Sequence, residues 1–189
     1  MSFAVKERGK LLEEQDRREE RISGEIVFKG CMLRLDRDIV RLPNGLEASR
    51  EVVKHPGAVG IVALQDQHLL LVRQYRYAIG QETLEIPAGK LDPQEQPLDC
   101  AERELREETG YRGTMEHISS FFTTPGFTDE VIHLFLAQDL VWDPLTPDDD
   151  EFLGFERIPW EEAVQKALQN KFNDAKTILG ILLVQGRNK

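Results

Sequence analysis

The chain has 189 residues, of which 40% are hydrophobic and 31% charged, with a formal net charge of −10. That length and apolar content can bury one real core with a small appendage, which excludes disorder for most of the chain. The acidic balance excludes a general binder of nucleic acid or anionic membrane, whose contacts need clustered Lys and Arg, so an anionic small substrate would need local help such as metal ions.

Residues 4–21 favour helix and are mostly charged, as in a solvated arm or a packing element for a partner subunit. From Gly24 to about His55 the pattern turns to β: EIVFKG, CMLRLD and IVRL precede the turn signal PNG, and LEASREVV returns. HPGA at 55–58 punctuates the chain. It marks the expected boundary between an N-terminal segment, 1–55, and a second domain, 56–189.

Beyond the boundary, AVGIVAL and HLLLVRQYR read as buried strands joined by QDQ, and ETLEIPAG as a strand that delivers the chain to Gly89. An acidic helix over about 98–109 stops at Gly110. EVIHLFLAQDL reads as a strand, TPDDDE (146–151) as an acidic loop and FLGFERI as a short strand. WEEAVQKALQ and DAKTILGILLVQG read as two helices whose apolar sides pack on the sheet. Strands and helices mixed in this order predict an α/β layered domain from about 56, with a mostly β appendage before it.

Cys31 and Cys100 lack paired spacing, which fits a reducing compartment and small apolar packing roles better than a disulfide or zinc framework. His55, His68, His117 and His133 form no HxH or HExxH pattern. The charged start is no signal peptide, and no apolar run approaches the ~20 residues of a membrane span. The expectation is a soluble, cytoplasmic protein with neither nucleic acid nor membrane as partner.

The acidic helix is the segment with the most chemistry. Successive residues turn by 100°, so Glu104, Glu107 and Glu108 fall within an arc of about 100° while Glu102 points away. A solvated face laced with pairs to Arg103 and Arg106 is the plain reading of such a run. Here, however, a strand, a glycine turn and a loop carrying Glu95 precede the helix, so the carboxylates sit at a strand-to-helix corner where a backbone carbonyl can join them. Oxygen donors of this kind suit a hard divalent cation, Mg²⁺ or Mn²⁺, which would remove the repulsion among them. Neither an EF-hand nor a P-loop order is present.

Gly89, five residues, Glu95, seven residues, then Arg103-Glu104-Leu105-x-Glu107-Glu108-x-Gly110-Tyr111 resembles the complete Nudix box, G-x5-E-x7-R-E-U-x-E-E-x-G-U. Tyr111 departs mildly from it, standing where the family usually has an aliphatic residue. The resemblance implies an α/β/α sandwich around a mixed sheet. It also implies metal-dependent hydrolysis of a nucleoside diphosphate linked to another moiety. Within it, Glu104 and Glu108 match the main metal ligands, Glu107 a further ligand or water-mediated contact, and Ala88 a donor through its backbone carbonyl. Arg103 matches a residue that orients the glutamates, and Glu95 a support for the loop.

Outside the box, Pro125 in TTPGFTDE stands fifteen residues after Gly110, and VRQYR, EIPAGKL and HPGAV are similar to ADP-ribose pyrophosphatases. That resemblance implies hydrolysis of ADP-ribose to AMP and ribose 5-phosphate. It implies Glu151 of the acidic loop as the base, with Asp149 and Asp150 left as alternatives, and Arg76 as the residue that holds the diphosphate. Gly126 and Glu130 match positions lining the terminal ribose, and Glu51 an adenine-side contact from the N-terminal domain. Phe121, Phe122 and Phe127 offer either a stacking surface or core. The resemblance further implies a homodimer whose N-terminal domains swap across to build the partner's site. Two other readings keep the box: a pyrophosphatase for another nucleotide sugar, such as ADP-glucose or GDP-mannose, and a non-catalytic ADP-ribose-binding protein. The presence of all three helix glutamates counts against the last.

Overall fold

The computed structural model describes residues 16–146 and 152–187. These fall into two units, one running to His55 and including Thr124–Asp129, the other made of Pro56–Thr123 and Glu130 onward.

In the first unit, β1 (Glu20–Lys29), β2 (Arg34–Arg41) and β3 (Glu47–Lys54) form an antiparallel sheet in that order. CMLRLD and IVRL both contribute to β2, and PNG makes the β2–β3 turn, where Leu42 N–H donates to Leu46 O at 2.8 Å. The helix expected over 4–21 falls partly outside the described residues, and its last two positions, Glu20 and Arg21, belong to β1. Cross-strand ion pairs explain the difference. Arg21 meets Asp38 at 2.9 Å, Arg41 meets Glu20 at 3.2 Å and Arg37 meets Glu25, so the charges of a would-be helix serve a ladder instead. The segment 124–129 extends this sheet's edge: Val53 N–H donates to Phe127 O at 2.8 Å, and Asp129 pairs with Lys54 at 2.9 Å. Cys31 is exposed here, so it does not fill a core as expected.

The second unit is built on a mixed sheet. Its strands are β4 (Ala58–Gln65), β5 (His68–Arg76), β6 (Gln81–Glu85), β7 (Ala88–Lys90), β8 (Tyr111–Phe122), β9 (Val131–Trp142) and β10 (Gly154–Pro159). The order is β10-β5-β4-β9-β8, with β6 on β5 and β7 on β4. β4 and β9 run parallel, and every other pairing is antiparallel. The apolar run of β4 is buried on both faces, which is why it does not alternate.

One face, carrying Val62, Leu71, Ile86, Leu134 and Leu136, packs against α2 (Trp160–Leu168) and α3 (Ala175–Arg187). The other, carrying Val59, Ile61, Ala63, Phe135 and Ala137, packs against α1 (Pro97–Thr109) through Cys100, Ala101 and Leu105. The result is an α/β/α sandwich, and none of its described helices is long and apolar enough to cross a membrane.

One expected strand needs correction, and one strand was not expected at all. ETLEIPAG splits at Ile86-Pro87, because Pro87 lacks an N–H for the ladder; β6 stays on β5 while β7 crosses to β4. The long strand β8 carries no sequence signal strong enough to announce it. None of its residues is fully buried, and register shifts after Arg112 and His117 break its alternation.

Candidate active site

Helix α1 is set by local rules at both ends. Pro97 opens it, Asp99 lies in its first turn and Arg106 in its last, in keeping with the helix dipole. Gly110 ends it at φ +78°, donating its N–H to Arg106 O at 3.1 Å. A side chain there would also lie 2.3 Å from the Trp142 ring, which packs edge-on against Tyr111 with centroids 5.3 Å apart. Tyr111 is therefore accommodated by an aromatic partner at a position where an aliphatic residue was expected.

With Ala101 and Leu105 locked in the core, the rotation of α1 is fixed, and Glu104 and Glu108 must face β7. They are only 5% and 8% exposed. Burying two carboxylates is costly unless they are bonded. Glu108 Oε2 accepts the backbone N–H of Ala88 at 2.9 Å. Glu104 lies over Gly89, where an added Cβ would come 1.8 Å from Glu104 Oε1, so only glycine admits this approach.

Arg103 ties the acids together. Its Nε and Nη2 grip Glu95 at 2.9 and 3.0 Å, while Nη1 donates to Glu104 at 2.8 Å and to Glu107 at 2.9 Å. Glu95 in turn accepts the Asp92 N–H at 2.9 Å, which ties the loop to the helix. The Arg103 hydrogen bonds bring the Glu95 carboxyl down to about 2, and the acids around Arg103 raise its own value. Burial, followed by the charges of Glu95 and Glu104, pushes the Cys100 thiol well above its usual range, so it is no nucleophile.

One guanidinium, that of Arg103, thus faces Glu95, Glu104 and Glu107 at once, with Glu108 on the same helix. Among the described residues, no three His, Cys, Asp or Glu side chains stand close enough to hold a metal ion unaided. The donor set nevertheless fits a hard cation such as Mg²⁺: the buried carboxylate oxygens of Glu104 and Glu108 lie against the strand backbone at Ala88 and Gly89.

A second cluster stands beside the first. Arg76, at the end of β5, makes a two-pronged pair with Glu85 on β6, at 2.7 and 2.6 Å. Lys176 of α3 contacts the same carboxylate and lies 3.0 Å from Asp174. Burial alone would raise the Glu85 carboxyl, but Arg76 and Lys176 bring it down to about 2. The charge of Glu108 reaches Arg76, which links the two clusters.

Residues 54–179 match the NUDIX domain family. The chain belongs to the Nudix family. It is 40% identical over 171 residues to the ADP-ribose pyrophosphatase of Bacillus subtilis (strain 168), covering 88% of this chain and 92% of that one. It is also 40% identical over 181 residues to the methanol dehydrogenase activator of Bacillus methanolicus, covering 94% of this chain and 95% of that one. Among solved structures, a crystal structure of an ADP compounds hydrolase matches with a TM-score of 0.80 at 25% identity, covering 90% of this chain and 94% of that one.

The structure brings the Nudix box residues Arg103, Glu104, Glu107 and Glu108 together with Ala88, and sets Arg76 within electrostatic reach of Glu108. Glu130, just before β9, accepts the Thr123 hydroxyl at 2.6 Å in the same unit. Glu51 is exposed on β3, and Gly126 lies in a turn where Phe127 N–H donates to Thr124 O at 3.2 Å; both belong to the first unit. Glu151, like Asp149 and Asp150, lies outside the described residues. Of the three phenylalanines, Phe122 and Phe127 are exposed and Phe121 packs on the core.

Glu85, Lys176 and Asp174 escaped the sequence reading. Two signals point to them. Glu85 is an acid on the buried phase of β6, two residues from buried Thr83, and Asp174 precedes Thr177 by the three residues of a helix cap.

Proposed function

We propose that the protein hydrolyses the diphosphate bond of ADP-ribose to AMP and ribose 5-phosphate, with Mg²⁺ or Mn²⁺ as cofactor. The observation that carries this reading is the corner where Arg103, Glu104, Glu107 and Glu108 meet the backbone at Ala88 and Gly89. Glu104, Glu108 and the Ala88 carbonyl would hold the cation, with Glu107 as a further ligand. When bound, the cation neutralises charge developing on phosphate oxygens and lowers the pKa of a bound water.

The chain's own residues supply the rest. Arg76 binds the diphosphate oxygens, a task suited to a planar fork of donors. Arg103 aims Glu104 and Glu107 through its hydrogen bonds, and Glu151 takes the proton from the attacking water. Gly126 and Glu130 line the terminal ribose, and Glu51 contacts the adenine side. The protein works in the cytoplasm, where its two unpaired cysteines stay reduced.

The functional form is a homodimer whose N-terminal units are exchanged. Strand β1 supports this: all ten of its residues are exposed, including Ile22, Ile26, Val27 and Phe28, and an exposed apolar surface of this kind suits an interface.

Product analysis on ADP-ribose, ADP-glucose and GDP-mannose with wild type, Glu108→Gln and Glu151→Gln tests the reading. Fastest release of AMP and ribose 5-phosphate from ADP-ribose, lost in both variants, is expected. Faster turnover of GDP-mannose overturns the substrate assignment, and binding without AMP release makes the protein an ADP-ribose sensor. The relative named methanol dehydrogenase activator favours a second reading, in which this protein activates a methanol dehydrogenase. A raised rate of methanol dehydrogenase on adding the protein would support it.

A further inference from the structure

We infer that Lys176 and Glu85 are positioning residues that aim Arg76 at the diphosphate and keep its charge available, while touching no substrate themselves. The inference rests on the reading of Arg76 as the diphosphate holder and deepens it.

The residues form a continuous bonded path from the core to the site. At its base, Ile86 N–H donates to Thr177 Oγ1 at 2.9 Å, and Thr177 Oγ1 donates to Asp174 Oδ2 at 2.5 Å. Asp174 also accepts the Thr177 N–H at 2.9 Å, which caps α3 and fixes its first turn against the end of β6. From that turn Lys176 reaches Asp174 and Glu85, and Glu85 receives Thr83 from its own strand as well. Arg76 is the last member of the path. Side-chain exposure falls along it from 18% at Asp174 to 11% at Lys176 and 2% at Glu85, then rises to 40% at Arg76, so the carboxylate that grips the arginine is the most buried of the four.

Arg76 lies opposite Gln81 in the β5–β6 register, while Glu85 lies opposite Val72, so the Arg76 side chain runs back along the strand to reach the carboxylate. An unrestrained arginine at a strand end would sample many rotamers and lose them on binding. Glu85 removes that freedom beforehand. The fork engages Nε and Nη2 with Glu85, which leaves the Nη1 side of the guanidinium for a phosphate oxygen.

Lys176 solves a second problem. A buried carboxylate paired with Arg76 alone would cancel the charge a diphosphate needs to meet. Lys176 shares Glu85 Oε2 with Arg76, so the carboxylate's field is divided between two cations. Removing the lysine ammonium would leave Glu85 and Asp174 facing Arg76, with Glu108 nearby, and anion affinity would fall.

The experiment measures ADP-ribose kinetics, calorimetric binding of inorganic pyrophosphate and thermal stability for wild type, Lys176→Met, Lys176→Arg, Arg76→Ala and the Arg76→Ala/Lys176→Met double variant. Lys176→Met should raise KM and the pyrophosphate Kd about tenfold with kcat changed less than about threefold, and Lys176→Arg should recover most of the loss. In the Arg76→Ala background, Lys176→Met should add less than about twofold, because it acts through Arg76. An unchanged pyrophosphate Kd in Lys176→Met, or losses that multiply in the double variant, overturns the inference. If Lys176→Met does not fold, pyrophosphate binding by Lys176→Gln and Glu85→Gln, judged against the same cycle, decides it. Pyrophosphate binding needs no turnover, so it decides this inference even if ADP-ribose is not cleaved. Conversely, AMP release by a protein whose pyrophosphate affinity ignores Arg76 sinks this inference and leaves the proposed function standing.

Discussion

The carboxylate of Glu108 accepts the backbone N–H of Ala88 at 2.9 Å, closing the corner between β7 and α1. That bond holds one oxygen of Glu108 against the strand. Glutamine keeps an oxygen acceptor for it while removing the charge, so Glu108→Gln separates fold from chemistry. We expect its melting temperature to stay within about 4 °C of wild type and its kcat to fall at least about a hundredfold. Calorimetry and steady-state kinetics check the two halves.

Gly89→Ala places a methyl group where Glu104 Oε1 lies, 1.8 Å from the new carbon. The carboxylate must swing away. The expected outcome is a fall in activity of about a hundredfold or more together with loss of the thermal stabilisation that Mn²⁺ gives the wild type. Melting curves with and without Mn²⁺ read the second effect independently of turnover.

Arg103→Lys keeps the charge and removes the fork. A lysine cannot hold Glu95 through two bonds while also reaching Glu104 and Glu107, so the loop from Asp92 loosens from the helix. Urea denaturation should show a loss of about 2 kcal/mol, and kcat should fall with it.

Helix α1 was legible because two periodicities coincide there: Ala101 and Leu105 mark the buried stripe, and the acids keep the box spacing on the adjoining one. The layered α/β domain was legible from β4 and β5, whose apolar runs belong to strands covered on both faces, while the mixed sheet of a sandwich came with the resemblance of the box. Strand β8 was not, because its pairing with β9 is broken twice and nothing on it is fully buried. Glu20 and Arg21 suit a helix by composition, and only the pairing partners on β2 decide otherwise. At the site, the box residues are local and could be read directly. Glu85 and Lys176 meet across 91 positions of sequence, and no local pattern reports such a contact.

Acid titration gives a signed prediction. Glu85 is held at about 2, below its ordinary 4.5, so an unfolded chain binds its proton more readily than the folded one. Its contribution to stability, about 3 kcal/mol gross, is complete above the ordinary value and is lost as pH falls through about 2. Glu95 adds in the same direction and the same window. The stability gap between wild type and Glu85→Gln should therefore be widest near neutrality and narrow between pH 4.5 and 2, as followed by denaturant unfolding at several pH values.

The central claim is that the Glu104–Glu108 corner exists to hold divalent cations against a diphosphate. Manganese binding measured by electron paramagnetic resonance, with a non-cleavable ADP-ribose analogue present, tests it most directly. Saturable Mn²⁺ uptake that weakens at least about tenfold in Glu108→Gln is the predicted result. Equal uptake by wild type and Glu108→Gln would contradict it.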